Sequence, residues 1–263
     1  MKNAIIFGGC GYIGINYAEY LINKNQFEII YLADIKKPVQ DYLNAKFNNL
    51  IQAKKAIFLE INIKNEITNN SLKNINLIVD CAAIHREPGH QNNEYHETNV
   101  KGSRNICKFA NKINCRNIIF TSSIAVYGPG NHEKSEETKT NPITAYGKSK
   151  MEAESNYINW KKENSDSKIL TICRPGVVFG PGELGNVTRL VKTIKQNSFF
   201  FLGNKNLKKG GIYIKELTNV LNWVNENQLN KNFESFVLFN ATYHPCPTIQ
   251  DYVKSISSVF NIE

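Results

Sequence analysis

The chain has no Cys-x-x-Cys pair, no apolar run long enough to cross a bilayer, no internal repeat, no low-complexity tract and no long linker. Each absence removes a class of protein. Its six cysteines, Cys10, Cys81, Cys107, Cys115, Cys173 and Cys246, are scattered through mostly apolar segments. They read as reduced core residues of a cytoplasmic protein rather than a disulfide framework. Met1 to Phe7 leads directly into an apolar strand, without a basic n-region or cleavage site. A soluble, cytosolic protein with no membrane contact is therefore expected. Also missing is any block of like charge: the formal net charge is +9, but the lysines are dispersed. That pattern is a basic background and not a nucleic-acid-binding face. His85, His90 and His96 straddle a loop-to-helix junction with no thiol nearby, so no metal is expected.

What is present is alternation. Apolar, β-branched runs at Asn3–Phe7, Glu28–Leu32, Ala56–Leu59, Leu77–Cys81, Asn117–Thr121 and Lys168–Cys173 are separated by amphipathic stretches. The stretches are placed at Tyr12–Asn23, Pro38–Leu50, Asn65–Leu72, Asn92–Lys112 and Ile143–Glu163. This predicts an α/β fold, a doubly wound parallel sheet with helices on both faces. After Arg174 the chain turns to Gly/Pro-rich loops with helices near Thr188–Gln196, Glu216–Glu226 and Ile249–Val259. Residues 1–173 are expected to form the nucleotide-binding domain, and 174–263 a smaller C-terminal substrate-binding lobe interleaved with it over the strands' carboxyl ends.

"AIIFGGCGYIGINYAEYL" is a strand, a glycine-rich turn and a helix start. Such a turn lets backbone N–H groups and the helix dipole hold a pyrophosphate. Two registers fit, Gly9-Gly11-Gly14 and Gly8-Gly11-Gly14. The next strand ends at Asp34, where a carboxylate accepts from both ribose hydroxyls and repels a 2'-phosphate, favouring NAD over NADP despite Lys36 and Lys37.

Tyr-x-x-x-Lys occurs four times: Tyr20/Lys24, Tyr42/Lys46, Tyr146/Lys150 and Tyr157/Lys161. Residues i and i+4 share a helix face in every case. Only Tyr146 opens a helix after a strand that ends in hydroxyls, Thr121, Ser122 and Ser123. Tyr157 falls on nearly the same face, roughly 16 Å further along at about 1.5 Å per residue, and is expected to be a packing or interface residue. A phenol titrates at about 10. A neighbouring ammonium favours phenolate and makes it a general base, Ser123 hydrogen-bonds the reacting oxygen, and Lys150 also holds the nicotinamide ribose.

Together "GGCGYIG", Asp34, "NLIVDCAA", "ETNVKGSRNI", "TSSIAVYG", "AYGKSK" and "RPGVVFGPG" resemble the extended branch of the short-chain dehydrogenase/reductase superfamily, which includes nucleotide-sugar epimerases. The resemblance covers nearly the whole chain and implies a Rossmann-type fold with Ser123, Tyr146 and Lys150 catalytic. It implies cofactor contacts from Gly8, Gly11, Tyr12, Ile13, Gly14, Asp34, Ile35, Cys81, Ala82, Ala83, Thr121, Pro175, Gly176 and Val178. Asn62 and Ile63 would lie near adenine, with Asn62 in place of the usual Asp, and Asn99 would order the site. Ile124 and Ala125 stand where dehydrating members carry Asp-Glu, and the Glu of decarboxylating members is also missing, which leaves 4-epimerisation or plain oxidation and reduction.

For the substrate, His85 and Arg86, with Glu87, face the expected pocket from a loop, with ordinary loop hydrogen bonding as the alternative. Asn186 and Arg189 stand at a helix start suited to a diphosphate, with a helix cap and a solvated Arg as the alternative. Lys209 takes the place of a phosphate-binding Arg, with a solvated loop Lys as the alternative, and Val177 that of an Asn which helps bind diphosphate. The resemblance further implies a UDP- or GDP-linked sugar as substrate and a homodimer through a four-helix bundle. Relatives usually continue for several dozen residues past the position of Glu263. A ketoreductase of a non-nucleotide alcohol, similar to hydroxysteroid and dihydroflavonol reductases, and a non-catalytic cofactor-sensing protein remain alternatives.

Overall fold

A computed structural model describes residues 2–68, 72, 74–87, 89–130, 132–164 and 167–262. Its strands are β1 Asn3–Phe7, β2 Ile29–Asp34, β3 Ala56–Glu60, β4 Ile75–Asp80, β5 Asn117–Thr121, β6 Ile169–Pro175, β7 Val177–Phe179, β8 Gly211–Tyr213 and β9 Phe236–Ala241. The helices are α1 Tyr12–Asn23, α2 Asp41–Gln52, α3 Asn92–Tyr95, α4 Gly102–Lys112, α5 Ala145–Lys162, α6 Asn186–Lys195, α7 Ile214–Leu229 and α8 Ile249–Phe260. A π-helical turn at His96–Lys101 joins α3 to α4, and a 3-10 turn spans Ile124–Tyr127.

Seven strands form one sheet in the order β3-β2-β1-β4-β5-β6-β9, each parallel to its neighbours. Because successive side chains on a strand point to opposite faces, β1 feeds two cores. Ala4 and Ile6 pack with Ile15 and Leu21 of α1, Phe47 of α2, and Leu217 and Leu221 of α7. Ile5 and Phe7 pack with Ile106 and Phe109 of α4, and Tyr157 and Trp160 of α5. Each fully buried Leu, Ile or Phe contributes about 1.5–3 kcal/mol, so the strands are apolar throughout where helices cover both faces. The winding reverses between β1 and β4, whose last residues Phe7 and Asp80 are register partners. A crevice at the carboxyl ends of the strands follows from that reversal.

Differences from the sequence reading are local. No helix forms over Asn65–Leu72 among the described residues: Asn65 closes a turn onto the Asn62 carbonyl, and Ile67 and Leu72 are buried. Asn69, Asn70 and Ser71 of that stretch lie outside the described residues. The expected long helix from Asn92 is interrupted by the π turn. Three strands after Arg174 were not anticipated: β7 and β8 pair in a small sheet of their own, and β9 returns to extend the main one beside β6.

Candidate active site

β1 ends in a turn that only glycine permits at three points. Gly8 has φ +70°, and a Cβ there would meet the Ala82 nitrogen at 2.6 Å. A Cβ on Gly14 would stand 2.3 Å from the Gly8 carbonyl oxygen, so Gly14 lets α1 close onto the turn. Gly11 differs, since its nearest neighbour would be at 3.2 Å. It is the N-cap of α1, with no side-chain cap and no acid in the first turn. The helix start is therefore free to receive an anion. A Cβ on Gly9 would stand 2.7 Å from the Ile6 carbonyl oxygen and 2.8 Å from Leu32 Cα on β2. Tyr12 opens α1 with its hydroxyl buried, beside Gly180 and without a hydrogen-bond partner among the described residues. Ile13 also lines this end, partly buried.

Asp34 accepts from the Cys10 N–H at 3.0 Å and the Ile35 N–H at 2.8 Å, tying the end of β2 to the glycine turn. Burial pushes its carboxyl up, and these backbone donors with that of Lys36 pull it back. Ile35 is exposed, and Lys37 lies over the Phe58 ring. Asn62 is exposed and accepts from the Lys64 N–H, whereas Ile63 turns its side chain into the core under Gly102.

The catalytic candidates converge at the ends of β5 and α5. Thr144 caps α5 by accepting from the Gly147 N–H at 3.1 Å, which starts the helix one residue before Tyr146. Ser123 accepts from the Ala125 N–H at 3.1 Å, leaving its own O–H to donate. Burial pushes the Tyr146 phenol up, a hydrogen bond with Ser123 pulls it down, and Glu87 pushes it up again. Glu87 also accepts from the Tyr146 N–H at 3.4 Å. Lys150 is 1% exposed, with Nζ 4.3 Å from the centroid of the Phe120 ring.

The remaining predicted residues surround this centre unevenly. Asn99, in the π turn, donates to the Ile84 carbonyl and the Ser149 hydroxyl and accepts from the Ile84 N–H, clamping the loop after β4 to α5. Thr121 donates to the Asp80 carbonyl at 3.0 Å. Cys81, Ala82 and Ala83 follow β4, and burial lifts the Cys81 thiol to about 12. Burial holds His85 below the usual imidazole range. Arg86 is exposed, its carbonyl accepting from the Tyr95 hydroxyl. At the end of β6, Gly176 donates to the Ala241 carbonyl and Pro175 and Val178 flank it, which places this segment between β9 and β8.

The expected diphosphate group is arranged differently. Glu183 accepts from the Thr188 N–H at 3.1 Å and so already occupies the N-terminus of α6. Arg189 donates to Asn186 at 2.6 Å. Lys209 is exposed, its backbone bonded to Pro247 and Tyr252.

The other Tyr/Lys pairs have structural partners. Tyr20 donates to Asn219 of α7, and Lys46 joins α2 to Glu19 on α1 while lying over Tyr42. Tyr157 is buried and donates to Asp80 at 2.7 Å. Asp80 escaped the sequence reading, although an acid that ends the apolar strand "INLIVD" is the same signal that marks Asp34. Also unforeseen is the buried pair of Glu154 and Arg174, bonded at 2.7 and 2.8 Å. It joins α5 to β6 and extends to Ser122 and Tyr127.

A parallel sheet with this glycine turn after β1 and Ser, Tyr and Lys at the β5/α5 edge defines the extended short-chain dehydrogenase/reductase class. Within it, the model of the 3-beta hydroxysteroid dehydrogenase/isomerase family matches residues 5–254, and the chain belongs to that family. An Escherichia coli O157:H7 relative, N-acetyl-alpha-D-glucosaminyl-diphospho-ditrans,octacis-undecaprenol 4-epimerase, is 34% identical over 157 residues, 60% of this chain and 47% of the relative. The UDP-glucose 4-epimerase of Vibrio cholerae is 28% identical over 203 residues, 74% of this chain and 57% of its own. The chain thus spans about half the length of these curated relatives. A solved UDP-glucuronic acid 4-epimerase from Bacillus cereus, in complex with NAD, superposes with TM-score 0.86 over 99% of this chain and 85% of that one at 19% identity, a likeness of fold.

Proposed function

We propose that this protein is an NAD-dependent enzyme that inverts, oxidises or reduces a hydroxyl-bearing carbon of a nucleotide-linked sugar, with 4-epimerisation as the leading reaction. The observation that carries the reading is the hydrogen bond of Ser123 with Tyr146 at the carboxyl end of β5, with Lys150 one turn along α5 from Tyr146. NAD fits the residues present: a glycine cradle that a Cβ would fill, an uncapped α1 N-terminus, and a carboxylate at Asp34. When bound, NAD supplies a hydride acceptor and donor. Tyr146, as phenolate, takes the proton of the reacting hydroxyl when it is oxidised to the ketone and returns it on reduction. Ser123 donates to the same oxygen, and the Lys150 ammonium favours the phenolate.

The substrate is proposed to be UDP- or GDP-linked. The named 4-epimerase relatives act on sugars carried on a diphosphate, in one case joined to undecaprenol. Asn186, Arg189 and Lys209 are the proposed diphosphate contacts. Because Glu183 holds the α6 N-terminus, the charge must come from the exposed Arg189 and Lys209 side chains and not from the helix dipole. His85 and Arg86 are assigned to the sugar.

A cytoplasmic enzyme of polysaccharide biosynthesis, acting as a homodimer through α4 and α5, completes the reading. The outward face of that helix pair carries Arg104, Lys108, Glu152 and Ser155, so its seam would be polar. A second reading, a ketoreductase of a non-nucleotide alcohol, is favoured by the Glu183 carboxylate where the diphosphate was expected. Purified protein should carry or bind NAD, and should interconvert C4 epimers of a UDP-sugar as followed by NMR. Light scattering of the same preparation should give twice the chain mass. Failure to bind any UDP-, GDP- or polyprenyl-diphosphate sugar, with turnover of a simple alcohol, would replace the first reading by the second.

A further inference from the structure

Asp80 ends β4 at the point where the sheet reverses, with Phe7 and Phe120 as its register partners on either side. It is 2% exposed, and an anion so placed must be paired. One carboxylate oxygen accepts from the Ala82 N–H at 3.0 Å and the other from the Tyr157 hydroxyl at 2.7 Å. Neither donor is charged.

Lys150 and Tyr157 lie seven residues apart on α5, two turns along one face. Both press on Phe120: Nζ of Lys150 is 4.3 Å from its centroid, and the ring of Tyr157 is 4.6 Å centroid to centroid. Phe120 is thus a shared neighbour of the ammonium and of the tyrosine that holds the carboxylate, and the two charges act on each other through space without a direct ion pair.

Charge balance around Lys150 then singles out one partner. From α5, Glu154 faces it but is neutralised by the two-pronged Arg174 pair. At the end of β4, the Cys81 thiol stays neutral, burial having lifted it to about 12. In the following loop, His85 is held below its usual range and brings no negative charge. Tyr146, also on α5, is the group the ammonium is to act upon. The uncompensated anion is Asp80.

We propose that Asp80 is a positioning residue for the reaction: the buried counter-ion of Lys150, oriented by Tyr157. Burial pushes Lys150 down and Asp80 up, toward neutrality, and each opposes that shift in the other. Without Asp80 the buried ammonium loses its proton more readily, and a neutral Lys150 no longer favours phenolate at Tyr146.

The inference rests on Tyr146 and Lys150 being the catalytic pair, and the test separates the two. Tyrosinate absorbance near 295 nm, with the Tyr146→Phe protein as blank, gives the Tyr146 titration without substrate or turnover. In Asp80→Asn that titration should move to higher pH by about one unit or more, and the acid limb of kcat/KM with it. Tyr157→Phe, which leaves the carboxylate in place but unfixed, should move both in the same direction by less. If Asp80→Asn does not fold, as judged by circular dichroism, Tyr157→Phe alone decides. An unchanged titration, or one displaced to lower pH, overturns the role of Asp80. Full turnover in Tyr146→Phe instead overturns the underlying catalytic pair.

Discussion

At the scale of single residues, the site turns on which tyrosine is a base and which are structural. Tyr146→Phe removes the proton acceptor but no part of the glycine turn. Turnover should fall by about 10²–10⁴-fold, with NAD affinity by fluorescence titration nearly unchanged. Equal losses of both would mean that Tyr146 serves cofactor binding and not chemistry. Tyr146 was legible in the sequence because its neighbours carry the information: a hydroxyl-ended strand before it and the helix that opens around it. Asp80, Glu154 and Glu183 were not legible, because a carboxylate's role depends on what faces it. Glu154 meets Arg174 only because α5 lies across β6, and Glu183 meets Thr188 only because the loop before α6 folds back. Tyr157 was expected to pack, and it does, but its hydroxyl is spent on Asp80 across 77 positions of sequence.

At the scale of elements, β1, the turn and α1 act as one unit in which the glycines divide their work. Gly14→Ala places a methyl 2.3 Å from the Gly8 oxygen, so α1 must move. Both thermal stability and NAD affinity should drop. Gly11→Ala meets nothing closer than 3.2 Å, so it should cost less than about 1 kcal/mol of stability. It should nevertheless weaken NAD binding by about tenfold or more, since the methyl enters the anion's path. Calorimetry and NAD titration on the two variants would separate the effects, and parallel losses in both would remove the distinction. The first six strands were readable because burial on both faces makes them continuously apolar. β9 was obscured by its half-buried edge position and by the prolines that follow it, Pro245 and Pro247. The π turn has no sequence signature, since its extra residue is accommodated by the Asn99 clamp between Ile84 and Ser149.

At the scale of the whole molecule, the boundary expected at residue 173 is a change of composition, while the packing crosses it. Leu217 and Leu221 of α7 are buried in the core that holds β1, and β9 is bonded along β6. A fragment of residues 1–173 should therefore fail to give a cooperative, monodisperse protein, exposing both an apolar helix face and an open strand edge. Near-UV circular dichroism and light scattering would check this. A fragment with a sharp thermal transition would mark an independent domain. The lateral position of β9 also has a consequence in time. When ribosomes have already delivered Tyr146 and Lys150, 66 residues still separate Pro175 from Ala241, on the order of several seconds at about 5–20 residues per second. Throughout that interval a nascent chain with every proposed catalytic group in place still presents the bare edge of β6, and whatever shields that edge in the cell governs the yield of active protein.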